Sequence, residues 1–98
     1  MEIRFDTDDL ARLETDSEFD GGYSQAVVRA YRKVVNLVRQ AVDERDFRNI
    51  RSLNFERLKG DRKHQHSMRL NLQWRLIVEL EGKGTAKVVA IMEIEDYH

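Results

Sequence analysis

Halfway along this chain the spacing of its apolar residues changes, and that change restricts the fold more than any other feature. Val27, Tyr31, Val34, Val38 and Ala41 recur at intervals of four, three, four and three, which places them on one stripe of a helix. Val28, Val35 and Val42 widen that stripe, so the helix, expected from about Ser24 to Asp43, lies across a sheet. Arg29, Arg32, Lys33 and Arg39 fall largely off the stripe and form a solvated face. From Gln65 onward the period is two. His66, Met68 and Leu70 point one way, with Ser67, Arg69 and Asn71 opposite, and Trp74, Leu76, Val78 and Leu80 alternate with Arg75, Ile77 and Glu79. A helix period followed by a strand period predicts an α+β domain whose helices cover one face of a small antiparallel sheet.

The flanking segments fit this plan. Met1 to Phe5 alternates and reads as a short strand. Thr7 caps a brief helix with Asp8 and Asp9 in its first turn, where negative charge meets the positive helix end. Leu10 and Leu13 face inward. The acidic stretch Asp16 to Gly22 is a loop. Phe47, Ile50 and Leu53 predict one further short helix. Glu81-Gly82-Lys83-Gly84 is a hairpin connection, and a last strand runs from Ala86 to about Glu95, apolar enough at its start to be covered on both faces. With strands in this order, the chain end returns beside the strand that holds Arg75.

Charge is distributed unevenly. The net charge is −1, but residues 1–22 carry a net of −6, residues 23–75 a net of +8 and residues 76–98 a net of −3. The basic middle offers a cationic surface despite the near-neutral total. No apolar run approaches the roughly 18 residues needed to span a bilayer, and the amino terminus lacks the pattern of a secretory signal. There is no cysteine, hence no disulfide and no thiolate metal site. A cytoplasmic protein with no membrane association is the simplest expectation. The acidic start either pairs with the protein's own basic middle or binds nothing.

Chemistry concentrates in two clusters, Leu58-Lys59-Gly60-Asp61-Arg62-Lys63-His64-Gln65-His66 and the ending Glu95-Asp96-Tyr97-His98. Cleavage of RNA by its own 2′-hydroxyl needs a base, an acid for the leaving 5′-oxygen and cations for the charged phosphorane. Histidine suits proton transfer near neutrality. Arginine forks onto two phosphate oxygens, whereas lysine acts as a point charge. Tyr97 can stack on a base or donate a hydrogen bond. Arg75 also has a bland alternative, an ion pair with a sheet carboxylate such as Glu93.

Three separated motifs carry a family resemblance: Leu58-Lys59-Gly60-Asp61-Arg62, then Ser67-Met68-Arg69-Leu70-Asn71 running into Gln73-Trp74-Arg75-Leu76, and the ending Glu95-Asp96-Tyr97-His98. In this order they resemble the HigB family of plasmid-maintenance killer proteins, toxins with a RelE-like fold. The motif-level resemblance covers about residues 53–98. It implies that residues 1–98 form a single toxin domain that cleaves mRNA in the ribosomal decoding site without a metal or other cofactor. It further implies that Lys59 and Arg75 contact phosphate and that Asp96, Tyr97 and His98 lie in the catalytic pocket, with His98 in proton transfer. Arg62, Lys63, His64 and Arg69 are the expected RNA contacts. The implied partners are the ribosome with its mRNA and a helix-turn-helix, HigA-like antitoxin, with operator DNA reached only through that antitoxin. One position departs from the family pattern. Relatives carry a histidine three residues before the motif lysine, where this chain has Glu56. Either Glu56 takes that role, or the proton transfers fall elsewhere, with His64 or His66 as alternatives. Two rival readings share the fold: a ParE-like toxin that binds gyrase without cutting RNA, and an inactive interaction module.

Overall fold

The computed structural model of the protein describes residues 1–82 and 88–97. Its first strand, β1 (Glu2–Phe5), leads into α1 (Asp8–Thr15), and the long α2 (Gln25–Gln40) follows. Next come the short helix α3 (Arg45–Asn49) and a 3₁₀ turn at Arg51–Leu53. β2 (Glu56–Arg57), a second 3₁₀ turn at Gly60–Arg62, β3 (His66–Arg69), β4 (Trp74–Glu81) and β5 (Val88–Asp96) complete the order.

Local chemistry sets the helix ends. The Thr7 hydroxyl accepts the Leu10 N–H at 3.2 Å and the Ser24 hydroxyl accepts the Val27 N–H at 3.2 Å, each satisfying a donor that the first turn leaves open. α2 ends at Gln40, three residues before the sequence-based limit. Beyond it the Asp46 carboxylate accepts the Val42 N–H at 2.8 Å and the Asp43 carboxylate accepts the Arg45 N–H at 2.9 Å. Aspartates thus offer the backbone partners that compete with helix continuation, and Val42, outside the helix, is exposed. The expected single helix over Phe47, Ile50 and Leu53 is divided in two, a helix and a 3₁₀ turn, with Asn54 in the left-handed region at φ 45°.

The five strands form one sheet in the order β1-β5-β4-β3-β2. It is mixed rather than antiparallel as expected, because β1 pairs parallel to β5, Glu2 opposite Val88 through Phe5 opposite Ile91. The other ladders are antiparallel. Periodicity identifies strands but says nothing of direction, and β2, two residues long, is too short to show a period. The β4–β5 ladder steps from Ile77 opposite Glu93 to Val78 opposite Ile91, so Met92 is the extra residue of a β-bulge. The anticipated hairpin at Glu81–Gly84 and the start of the last strand at Ala86 fall partly on residues 83–87, outside the described residues.

Val27, Tyr31, Val34 and Val38 of α2, with Ala41 just after it, are buried and pack with Leu10, Leu13 and Phe47 against Met68, Leu76, Val78, Val89 and Ile91 of the sheet. The Tyr31 hydroxyl, at the centre of this layer, donates to the Leu10 carbonyl at 2.7 Å. Part of the acidic start does pair with basic α2: Arg39 bridges Glu14 at 2.7 Å, and Arg32 donates to the Leu13 and Asp16 carbonyls. Among the described residues no helix is long and apolar enough to cross a membrane.

Replacing Tyr31 by phenylalanine removes a buried hydrogen bond while the Leu10 carbonyl keeps its partner within α1, so the variant should lose about 0.5–1.5 kcal/mol. A lower urea midpoint at unchanged slope is the expected observation, and an unchanged midpoint would show that the hydrogen bond contributes nothing net.

Candidate functional site

Strand alternation sorts the sheet's side chains onto two faces. Met68, Leu76 and Ile94 share a row on the helix-covered face, whereas Arg69, Arg75 and Glu95 share a row on the opposite face. The next row on that face holds Glu56, Ser67, Ile77 and Glu93. Register therefore brings Arg75 beside the end of the chain, as the order of strands led one to expect.

Arg75 is held by Glu95 and not by Glu93. Its Nε donates to Glu95 Oε2 at 2.7 Å, and its Nη2 lies 2.5 Å from the same oxygen. Arg62 approaches the other oxygen of that carboxylate, Nη1 to Oε1 at 2.8 Å, and reaches Glu93 at 3.4 Å. Burial works against ionising Glu95, but hydrogen bonds from Arg62 and Arg75 prevail and hold its carboxyl below the usual range. Arg62 gets there because the turn after Lys59 folds over this face. Gly60, at φ 66°, takes a backbone conformation that other residues rarely adopt, and Gln65 ties the far side of the turn to Glu79 at 3.0 Å. Ser67 and Ile77, on the face that alternation assigns to solvent, are consequently buried.

Arg69 stands directly opposite Arg75. Like charges in such a pair repel, and of the two only Arg75 is paired with Glu95; among the described residues Arg69 has no ion pair. The Tyr97 ring lies 5.0 Å from the Arg75 guanidinium carbon and is 57% exposed, so one face of an aromatic ring stays open beside the cationic row. Asn54, Ser67, Asn71 and Trp74 join Arg69, Arg75 and Tyr97 around a cleft of about 30 Å³. That volume admits a hydroxyl or a phosphate oxygen but not a base, which would have to stack outside it. The Asn71 side chain accepts the Gln73 and Trp74 N–H groups and shapes the turn that forms one wall.

The remaining sequence-derived candidates are placed less uniformly. Lys59 and Lys63 are exposed and, among the described residues, without an ion pair. His64 is exposed with its Nε2 3.7 Å from Glu79. Glu56, exposed on β2, lies on the Arg69 face as a diagonal neighbour of that arginine, roughly 7–8 Å away in such geometry. Asp96 pairs in register with Trp74, on the opposite side of the strand from Glu95, and accepts from Gln73 Nε2 at 3.2 Å. His66 belongs to the helix-side layer. It stacks on Phe55 at 4.8 Å with planes 3° apart, and burial together with Arg57 and Arg48 keeps its pKa below the ordinary histidine value. His98 lies outside the described residues. Sequence reasoning assigned no role to Glu95, Asn54 or Asn71. Glu95 stood inside a recognised motif, but only the hairpin register shows that it faces Arg75.

Comparison with known proteins fits this geometry. The family model described as the RelE-like toxin of type II toxin–antitoxin system HigB matches residues 3–98. The chain belongs to the HigB-like toxin family. As a member of a type II system, a HigB-like toxin has a protein antitoxin as its partner. A YoeB/ParE toxin from Agrobacterium tumefaciens superposes over 100% of both chains with a TM-score of 0.60 at 17% identity, a likeness of fold. No curated protein matches the chain in sequence.

Because Glu95 is more readily ionised in the folded chain than in the unfolded one, its stabilising contribution is complete above the unfolded carboxyl value near 4.5. It is lost as the pH falls through the lower folded value. Glu95→Gln should therefore show a smaller difference in urea midpoint between about pH 7 and about pH 3 than the wild type. An equal difference in both proteins would mean that the two arginines do not stabilise this carboxylate.

Proposed function

We propose that this HigB-like toxin is a ribosome-dependent endoribonuclease that cuts mRNA in the decoding site and so stops translation. The observation that carries the reading is the row Arg69–Arg75 with exposed Tyr97 on the open sheet face, immediately before His98. Arg62 and Lys59 flank it on the overlying turn.

In the proposed reaction the 2′-hydroxyl attacks the adjacent phosphorus and the bond to the 5′-oxygen breaks, giving a cyclic phosphate and a free 5′-hydroxyl. One group takes the 2′-hydroxyl proton and another protonates the leaving oxygen. His98 is assigned to one transfer and Glu56 or His64 to the other, with Asp96 acting from the neighbouring strand end. Arg75, Arg69 and Lys59 stabilise charge developing on the phosphorane, and arginine's fork holds two non-bridging oxygens at once. These cations supply the positive charge that a metal would otherwise bring. Tyr97 stacks on a base outside the small cleft, and Lys63 and His64 contact RNA along the turn. Phosphate must compete with Glu95 for Arg75, and a polyanion within the ribosome has the charge density to do so.

The chain acts as one toxin domain in the cytoplasm. Its antitoxin is a HigA-like helix-turn-helix protein, which contributes the contacts to operator DNA. The near-neutral toxin is suited to that division of labour.

Programming ribosomes with a defined mRNA and mapping new 5′ ends by primer extension tests the reading. Cleavage should require ribosomes and should fall about 10²–10³-fold in Lys59→Ala, the loss typical of one transition-state cation or donor. Removal of His98 should cost at least about 10²-fold. Intact mRNA at toxin concentrations that stop growth, with gyrase supercoiling inhibited instead, would replace the nuclease by a gyrase-binding toxin.

A further inference from the structure

Three arginines and three carboxylates meet on the open sheet face and the turn above it, Arg62, Arg69 and Arg75 with Glu56, Glu93 and Glu95. A phosphate approaching this patch meets little net charge, and its attraction depends on which N–H groups are open. Arg75 offers few. A guanidinium takes an oxyanion best along an edge where two N–H groups point the same way, and the Nε–Nη2 edge of Arg75 is filled by Glu95 Oε2. One face of the same guanidinium looks onto the Tyr97 ring. Arg62 is engaged at all three nitrogens, Nε by Gln65, Nη1 by Glu95 and Nη2 by Glu93.

The two oxygens of Glu95 therefore hold two guanidiniums as two phosphate oxygens would. The Arg75 and Glu95 side chains are only 21% and 24% exposed, so salt screens this pair less than a surface pair. A carboxylate carried on the neighbouring strand also acts at the high effective concentration of a tethered group, on the order of millimolar or above. A dilute phosphodiester does not displace it by mass action. One held against the patch by a larger assembly competes on equal terms.

We infer that Glu95 is a specificity-determining residue: by filling the anion-binding edge of Arg75 it weakens capture of free RNA and admits a phosphate presented at high local concentration. The inference rests on the reading of this face as an RNA-cleaving site. It makes Glu95 the residue that restricts the reaction to RNA held in the ribosome. Glu95 touches no reacting atom and acts through Arg75.

Binding of a fluorescent RNA decamer, methylated at every 2′-oxygen so that it lacks the attacking hydroxyl, separates recognition from chemistry. Glu95→Gln is compared with Glu81→Gln, which removes the same charge and releases Arg4 at the other end of β4. Glu95→Gln should bind the decamer at least about tenfold more tightly than the wild type, and its affinity should fall more steeply with salt, because one more cation meets phosphate. Glu81→Gln should stay within about twofold of the wild type, since Arg4 lies away from the patch. Circular dichroism checks that both variants fold. The wild type supplies a reading that needs no variant: on titration with inorganic phosphate, the Nε–H resonance of Arg69 should move at lower phosphate than that of Arg75. Coincident movement of the two, or a Glu95→Gln protein that binds no more tightly than Glu81→Gln, overturns the inference. Cleavage of ribosome-bound mRNA by the wild type is scored separately. Tighter binding by Glu95→Gln without any cleavage on ribosomes keeps Glu95 as the residue that shields Arg75 and retires the nuclease reading. Cleavage on ribosomes without tighter binding overturns the inference alone.

Discussion

Glu95 holds three separate parts of the chain together. Its own strand, β5, supplies the carboxylate; β4 supplies Arg75, and the turn after Lys59 supplies Arg62. A carboxylate between two guanidiniums is more than a bridge, because it lets three arginines crowd one patch of sheet. Without it the directly opposed Arg69 and Arg75 would repel with only solvent to screen them. With it the patch keeps one arginine, Arg69, without an ion pair among the described residues, and two whose hydrogen-bonding capacity is partly taken. The patch is thus charged and ordered before any ligand arrives, and preorganised charge is the kind that acts at least reorganisation cost.

Much of the fold was legible in the amino-acid sequence. The stripe from Val27 to Ala41 predicted α2 and its buried face, since burial of that stripe is what makes the helix stable. Thr7 marked a helix start by a mechanism that needs only a few neighbouring residues. What the sequence left hidden depended on long-range register. Parallel pairing of β1 with β5 joins opposite ends of the chain, and nothing in Glu2–Phe5 records it. Arg75 meets Glu95 and not Glu93 because of hairpin register, and a one-residue shift would turn the other side chains to that face. Val42 kept the helical period but lost the helix to Asp43 and Asp46, whose side chains compete for the backbone.

The candidate site divides along the same line. Tyr97, Arg75 and Arg69 were identified by motif and are brought together by the sheet. Among the three histidines, His66 proves to be part of the helix-side layer, stacked on Phe55, whereas His64 stays on the surface. Asp96 and Glu95 are neighbours in sequence and opposites in the sheet, so a motif that names both cannot say which one faces the arginines. The uneven charge along the chain also gains a meaning. Part of the acidic start neutralises α2 through Glu14 and Arg39, and Asp16 is paired with Arg12 of α1.

The pairing of β1 with β5 has a consequence for how the molecule comes into being. The first strand to be made has no place in the sheet until the last one exists, and the loop closed by that pairing is nearly the whole chain. Its entropy must be lost before the contact returns anything. The helices and the β3–β4 pair are local and can form early, but a partly synthesised chain carries the apolar face of α2 with too little sheet to lie on. Completion of the sheet is accordingly a whole-chain event. Because Glu95 and Tyr97 sit on that final strand, the cationic row acquires its carboxylate and its aromatic ring only as the fold closes.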